Sequence, residues 1–307
     1  MEKQNSYCEL SIIIINWNSR DYLKNCIKSI IESSYKNYNI IVIDNNSDDN
    51  SLFKILEYHN IIIIKNDINK GFGAACNQGL KIAKSKYVLL LNPDAILKKN
   101  TLCESVLFME KNKGISVLGI ANLDENGVIQ KTCARYPRLN RFFSDILGLP
   151  KIFPNIFYSA THMLDWNHKE SMYVPHVIGA YYFARIEELE KVYFFDEDYF
   201  VYYEDIDLSY RISKNGGRIF FNSDIHLFHS GGGTSEQIKA TRLYYSLHSR
   251  LIYAKKHFNL VEYTGLSFLT CTIEPFTRIG YSLMKGRFKE ILETLQGYKM
   301  LYKKILF

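Results

Sequence analysis

Long apolar runs are missing from this chain. The barest stretch, residues 263–273, carries no charge, but it falls well short of the roughly 18 residues a membrane-crossing helix requires, so no transmembrane helix is expected. The opening residues, Met1-Glu2-Lys3-Gln4-Asn5-Ser6, lack the basic-then-apolar layout of a signal peptide, and the apolar run at 12–15 is too short to be one. Cysteine is sparse: the six residues at 8, 26, 76, 103, 133 and 271 form no C-x-x-C pair and no dense framework. That argues against a zinc site or a disulfide scaffold and suits the reduced thiols of a cytoplasm. Strong charge is absent too. With 38 Lys+Arg against 32 Asp+Glu, the net +6 is too mild for nucleic acid, though it suits a phosphate-bearing ligand or an anionic membrane surface.

What the chain does have is core-forming residues, 47% hydrophobic over 307 positions, enough for one large domain or one domain with an extension. Its most telling stretch is YVLLLNPDA at 87–95, where five apolar residues end abruptly in Asn92, Pro93 and Asp94. This is the pattern of a strand buried on both faces with a carboxylate just past its C-terminal end. Ligands gather at the carboxyl ends of strands in open α/β sheets, although Asn-Pro-Asp by itself also reads as a turn.

Before that stretch, strands at 11–15, 39–43 and 61–64 alternate with helices carrying Leu23, Ile27 and Ile30, then a short one at 52–58, then a small-residue helix at 74–83. Asn18 is placed to cap the first helix, with Asp21 in its first turn. Such alternation implies right-handed crossovers and a parallel sheet. After a helix at 101–111 the pattern changes: strands at 116–120 and 128–130 flank Asp124-Glu125-Asn126-Gly127, an Asn-Gly hairpin signal that makes the sheet mixed. Residues 135–175 are aromatic and poorly periodic, an insertion broken by Pro137, Pro150 and Pro154. A strand follows at 177–184, a helix opens at Glu204-Asp205-Ile206-Asp207 and stops at Gly216-Gly217, and short strands at 218–221 and 225–228 lead to His229 and three glycines.

From Glu236 the pattern is helical, with Leu243, Leu247, Leu251 and Ala254 at three- and four-residue steps. The last segment mixes Phe268, Phe276, Leu283 and Met284 with Arg278, Lys285, Arg287 and Lys289. It reads either as a basic amphipathic membrane-surface element or as a helical hairpin packed on its own domain or a second subunit. Residues 1–235 are thus expected as one domain, divided near 115 into a nucleotide-binding and an acceptor-side half, with 236–307 as a helical basic extension.

The polar strand ends, Asn16 and Trp17, Asp44 and Asn45, the Gly71 loop, Asp94, Glu204-Asp205 and His229, would converge on one edge in such a fold. A nucleotide, a hard cation bridging its diphosphate and a carboxylate to take a proton from an alcohol would each find a partner there. Two other readings fit the same set: a sugar-phosphate nucleotidyltransferase, which lacks support because Asn16-Trp17-Asn18 replaces the glycine-rich basic loop expected after the first strand, and a non-catalytic binding protein on the same fold.

Taken in order, SIIIINWN at 11–18, VIDNNSDD at 42–49, NKGFGAACNQG at 69–79, LLLNPDA at 89–95, GAYYFAR at 179–185, FDEDYFVYYEDIDLSYR at 195–211 and HLFHSGGGTS at 226–235 resemble the family-2 inverting glycosyltransferases, in particular the bacterial rhamnosyltransferase-like branch. The resemblance implies a GT-A fold: a Rossmann-like, mostly parallel mixed sheet flanked by helices, here with a C-terminal helical extension. It implies base and ribose contacts at Asn16, Trp17, Asp44 and Asn45, and a nucleotide wall at Gly71 and Asn77. It also implies a Mg²⁺ or Mn²⁺ ion on Asp94 and His229, with Asp205 as general base. Asn92, also set against the nucleotide, stands where the D-x-D motif usually has its first Asp, so the ion would depend more on the donor diphosphate. Glu204 and Asp207 would shape the loop and cap the helix. The implied reaction transfers a sugar from dTDP-rhamnose, or else from a UDP-sugar, to a saccharide or polyprenyl-diphosphate-linked glycan in surface-polysaccharide synthesis. The implied location is cytoplasmic, at the inner face of the membrane.

Overall fold

The computed structural model describes residues 8–153, 156–230 and 239–306. Strands β1 (Leu10–Asn16), β2 (Tyr38–Asp44), β3 (Ile61–Lys65) and β4 (Tyr87–Leu91) pair in parallel, in the order β3-β2-β1-β4. Helices α1 (Tyr22–Ile31) and α2 (Phe72–Ile82) connect them. The isoleucine run of β1 serves both faces because successive side chains alternate. Ile12 and Ile14 join Leu23, Ile27 and Ile30 of α1 in one core, and Ile13 and Ile15 join Ala75, Cys76 and Leu80 of α2 in the other.

The chain continues through β5 (Ala95–Leu97), α3 (Thr101–Lys111), β6 (Val117–Leu123), β7 (Cys133–Ala134), α4 (Leu139–Ile146), α5 (Leu149–Ile152), β8 (Met172–Tyr173), β9 (His176–Val177), β10 (Tyr181–Arg185), α6 (Ile186–Glu190), α7 (Glu204–Lys214) and β11 (Ile219–His229). β10 lies antiparallel between β4 and β6, and β11 runs parallel to β6 and antiparallel to β5, so the sheet is mixed as expected. Where two short strands were expected, β11 is one strand with a bulge. Its pairing with β6 jumps from Asn222↔Ile120 to His226↔Ala121, and Asn222 Oδ1 accepts the Asp224 N–H at 2.8 Å inside the kink.

Other expectations are corrected. Asn18 does not cap α1: its backbone is left-handed (φ 50°), and its Oδ1 accepts the Asp48 N–H at 2.9 Å, tying it to the facing loop. Asp21 stands at the N-cap of α1 rather than in its first turn, and bonds Lys54 at 2.7 Å. The helix expected at 52–58 shrinks to a single 3-10 turn at Phe53–Ile55. The Asn-Gly turn forms, with the Gly127 N–H on Asp124 O at 2.9 Å, but its return arm makes only an isolated bridge, Leu123↔Ile129, rather than a strand. The strand expected at 177–184 is split into β9 and β10. The unassigned insertion contains α4 and α5, and Phe142 and Ile146 of α4 pack against the C-terminal helices rather than the sheet.

Those helices are α8 (Lys239–His257), α9 (Leu260–Phe268), α10 (Glu274–Met284) and α11 (Phe288–Leu306), with a π-helical segment, Leu269–Ile273, joining α9 to α10. Leu247 and Leu251 of α8 meet Tyr298 and Leu301 of α11. His257 of α8 bonds Asp207 of α7 at 2.6 Å, and Ser249 donates to Val201 O at 2.8 Å, fastening α8 to α7 and the segment ahead of it. The expected boundary after residue 235 and the glycines at 231–233 lie outside the described residues. No described helix is long and apolar enough to cross a membrane. All six cysteines are free.

Candidate active site

The carboxyl ends of β1 and β2 build the first wall. Asn16, fully buried, donates through Nδ2 to Asp44 Oδ1 at 2.7 Å and to Ser51 Oγ at 2.9 Å. Asn45 donates to Asn69 Oδ1 and Gly71 O and accepts from Asn66 and from the Lys70 N–H, so its amide orders the loop ahead of α2. A cavity of about 460 Å³ opens beside this wall, lined by Asp44, Ser47, Asp48, Phe53, Lys65 and Asn66. Trp17, half-buried, follows directly after β1.

Gly71 is where the start of α2 meets the segment ahead of α7. Its φ of +87° is left-handed, and a Cβ there would lie 2.3 Å from Phe200 O, so only glycine fits. One residue on, the Phe72 N–H bonds that same carbonyl at 2.8 Å. Asn77 makes a second clasp: it accepts from the Phe195 N–H at 3.0 Å and donates to Phe195 O at 2.9 Å and Glu197 Oε1 at 2.8 Å.

Asp94 and His229, far apart in sequence, are brought together by the sheet. The β5–β11 pairing sets His229 opposite Ala95, and His229 Nε2 lies 3.2 Å from Asp94 Oδ1. Gln130 donates through Nε2 to His229 O at 2.9 Å, which leaves its Oε1 to accept from His229 Nδ1–H at 3.1 Å. Gln130 thus occupies Nδ1, and the buried Nε2, turned toward the carboxylate, has no hydrogen bond. An imidazole nitrogen and a carboxylate oxygen side by side suit a shared cation, with Gln130 as the partner that orients the imidazole. Among the described residues no third His, Cys, Asp or Glu joins them. The Asn92 backbone N–H bonds Ala180 O at 3.1 Å, fixing the turn before Asp94.

Asp205 enters by a strained approach. Tyr202 and Tyr203 both have left-handed φ (68° and 69°), and α7 begins immediately afterwards. The Asp205 side chain, 21% exposed, accepts from the Gly179 N–H at 3.2 Å and lies 3.5 Å from His176 Nε2. Burial works to raise its pKa, but His176 and the Gly179 and Ile206 N–H groups together hold it below the ordinary carboxylate range. Glu204 is pushed the other way: burial first, then the Asp205 charge, drive it well above the usual range, and its Oε2 has no hydrogen-bond partner. Adjacent carboxyls are thereby pushed in opposite directions. Asp207, fully buried, is a fastening point instead, bonded to Arg211 at 2.7 Å and to His257.

Asp205 borders a cavity of about 680 Å³ shared with His162, His176, Tyr202, Arg242 and Arg278. His176, Ser209 and Tyr182 were not singled out from the sequence, yet they form a buried chain behind the carboxylate: Ser209 Oγ lies 2.8 Å from His176 Nδ1 and 3.1 Å from Tyr182 Oη. The one signal was a histidine at the mouth of an apolar strand. His162, also unforeseen, is held below the ordinary histidine range by burial and by His176.

A carboxylate at the rim of one cavity, a second recess beside Asp44 and the Asp94–His229 pair are compatible with sugar transfer from a nucleotide diphosphate. Comparison with known proteins agrees. Residues 11–176 match the glycosyl transferase family 2 domain. The chain is 29% identical over 231 residues to the rhamnosyltransferase WbbL of Escherichia coli K12, covering 71% of this chain and 82% of that one. It is 30% identical over 133 residues to an E. coli UDP-Glc:alpha-D-GlcNAc-diphosphoundecaprenol beta-1,3-glucosyltransferase, WfaP, covering 43% of this chain and about half (53%) of that relative. Among solved structures, S. aureus TarS 1–349 with UDP-GlcNAc superposes with a TM-score of 0.57 at 15% identity, covering 96% and 92% of the two chains. The mannosyltransferase PcManGT of Pyrobaculum calidifontis, with GDP-Man and Mn²⁺, does so with a TM-score of 0.57 at 13% identity, covering 98% and 88%. The nucleotidyltransferase alternative is set aside, and the chain belongs to glycosyl transferase family 2, a glycosyltransferase on a GT-A fold.

Proposed function

We propose that the protein transfers L-rhamnose, with inversion, from dTDP-rhamnose to a glycan carried on a polyprenyl diphosphate, at the cytoplasmic face of the membrane, in surface-polysaccharide synthesis. The observation that carries the chemistry is geometric: the Asp205 carboxylate stands at a cavity rim, held by the Gly179 N–H at 3.2 Å and by His176 Nε2 at 3.5 Å. Support for the sugar comes from WbbL, and for the lipid-linked acceptor from WfaP. A UDP-sugar is the other donor considered, as TarS binds UDP-GlcNAc.

In this reading the nucleotide enters the recess beside Asp44, walled by Asn16, Trp17, Asn45 and the Gly71 loop, with Asn92 and Asn77 holding the surrounding turns. Asp205 takes the proton from an acceptor hydroxyl as that oxygen attacks the anomeric carbon, and the bond to the nucleoside diphosphate breaks on the opposite face. Asp94 and His229 would hold Mg²⁺ or Mn²⁺ together with donor phosphate oxygens, and the ion would offset charge on the leaving group. His176 keeps Asp205 ionised and oriented between turnovers.

The test is a donor screen with Mg²⁺ or Mn²⁺ and a panel of dTDP-, UDP- and GDP-sugars, following nucleoside diphosphate release and thermal stabilisation. A preference for dTDP-rhamnose is expected. Preference for a UDP- or GDP-sugar would replace the rhamnose assignment, and silence toward every donor would revive the non-catalytic reading.

A further inference from the structure

The C-terminal helices bury one side and leave an apolar opposite side bare. From α9 through the π-helical segment into α10, Val261, Phe268, Phe276 and Leu283 are exposed by 78%, 61%, 76% and 53%. Their spacing is seven, eight and seven residues. Steps of seven return to nearly the same side of a 3.6-residue helix, and the eight-residue step spans the π-helical turn at Leu269–Ile273, which takes up one extra residue. The π turn therefore keeps all four in one line, roughly 33 Å long. On α11, Phe288, Leu292 and Leu295 are likewise exposed, while Tyr298 and Leu301 face inward to α8.

A stripe of this length on a monomer marks a contact surface. Its charge decides which kind: Lys285, Arg287 and Lys289 cluster at the α10–α11 turn, between the two apolar lines, all exposed. Lysine is depleted at the centres of protein interfaces, whereas basic groups flanking bulky apolar ones suit an anionic lipid surface.

A cavity of about 830 Å³, lined by Tyr281, Met284 and Arg287 among others, shares Lys239, Leu243 and Arg278 with the cavity at Asp205. The groove leading from the base thus emerges at the edge of the bare side. We propose that the α9–α11 hairpin lies on an anionic bilayer with Phe268, Phe276 and Phe288 inserted, so that the groove opens at the lipid surface and an isoprenoid-anchored acceptor reaches Asp205 without leaving the bilayer. The docking stands on the helix pattern and the charge beside it; the route for the acceptor rests on the lipid-linked reading above.

The experiment is sedimentation of the full chain with phosphatidylglycerol-containing and pure phosphatidylcholine vesicles, comparing wild type with Phe268→Ser/Phe276→Ser. Circular dichroism melting checks that the variant is folded. Wild type should pellet with the anionic vesicles, and the variant should bind about tenfold or more weakly. A wild type that stays in solution with every vesicle would overturn the docking, as would a variant that binds equally well or a dimer that the two serines dissociate. Vesicle binding needs neither donor nor acceptor, so it stands or falls apart from the transfer reaction. For the groove, transfer to a vesicle-embedded lipid-linked acceptor should fall in the variant while transfer to a soluble acceptor holds; an equal fall in both would overturn the route.

Discussion

The imidazole of His176 stands with Nε2 3.5 Å from Asp205 Oδ2, while its Nδ1 lies 2.8 Å from Ser209 Oγ. Burial would raise the Asp205 pKa, and His176 is the largest influence lowering it. Replacing His176 with Asn should therefore raise that pKa. Because the base must be ionised, the acid limb of the kcat/KM profile should move to higher pH, while donor KM stays near the wild-type value. An unmoved acid limb would make His176 purely a packing residue.

Asp205→Asn keeps the shape and removes the proton acceptor. Turnover should fall by roughly 10²- to 10⁴-fold with donor affinity nearly intact, measured by nucleoside diphosphate release beside calorimetric donor binding. Loss of donor binding instead would recast Asp205 as part of the donor site.

At the Asp94–His229 pair, Asp94→Ala should abolish the extra thermal stabilisation that Mn²⁺ adds to a nucleoside diphosphate. Gln130→Ala, which frees the His229 ring to turn, should weaken that metal effect by about tenfold. Equal stabilisation with and without metal in wild type would remove the pair from a cation role.

Burial holds the Glu204 pKa above the ordinary carboxylate range, so the stability it contributes is complete below the usual glutamate value near 4.3 and is lost as pH rises toward its folded value. Glu204→Gln removes that loss. The variant should melt higher than wild type at alkaline pH, with the gap closing toward about pH 4. A gap independent of pH would mean that Glu204 is ionised in the folded protein.

Gly71→Ala places a Cβ against Phe200 O on a left-handed backbone. A loss of about 2 kcal/mol or more is expected in denaturant melts, with weaker nucleotide binding.

Much of this architecture was legible because buried parallel strands write themselves as runs: 11–15, 39–43, 61–64 and 87–91 all became strands. The strand-end residues Asp44, Asp94 and His229 were legible for the same reason, as polar groups where an apolar run stops. What the pattern did not carry was pairing. Nothing local tells that β11 lies beside β5, so the 3.2 Å meeting of His229 with Asp94 is a property of topology. His176 stayed hidden because its partners, Ser209 and Asp205, belong to a helix that begins 28 residues later. Asn18 misled because a left-handed loop residue and a helix cap have the same preferred residue types.

The kink in β11 has a bearing on the Asp94–His229 pair that no contact reveals. Between Asn222 and His226 the strand carries three residues more than β6 opposite it, an odd surplus. Since side chains alternate from one face to the other, an odd surplus exchanges the faces of everything that follows. The orientation of His229 is thus a matter of parity, counted several residues upstream at Ser223–Ile225. Removing a single residue there would turn Phe228 toward Asp94 and His229 away, so this locus tolerates substitution far better than a change in length.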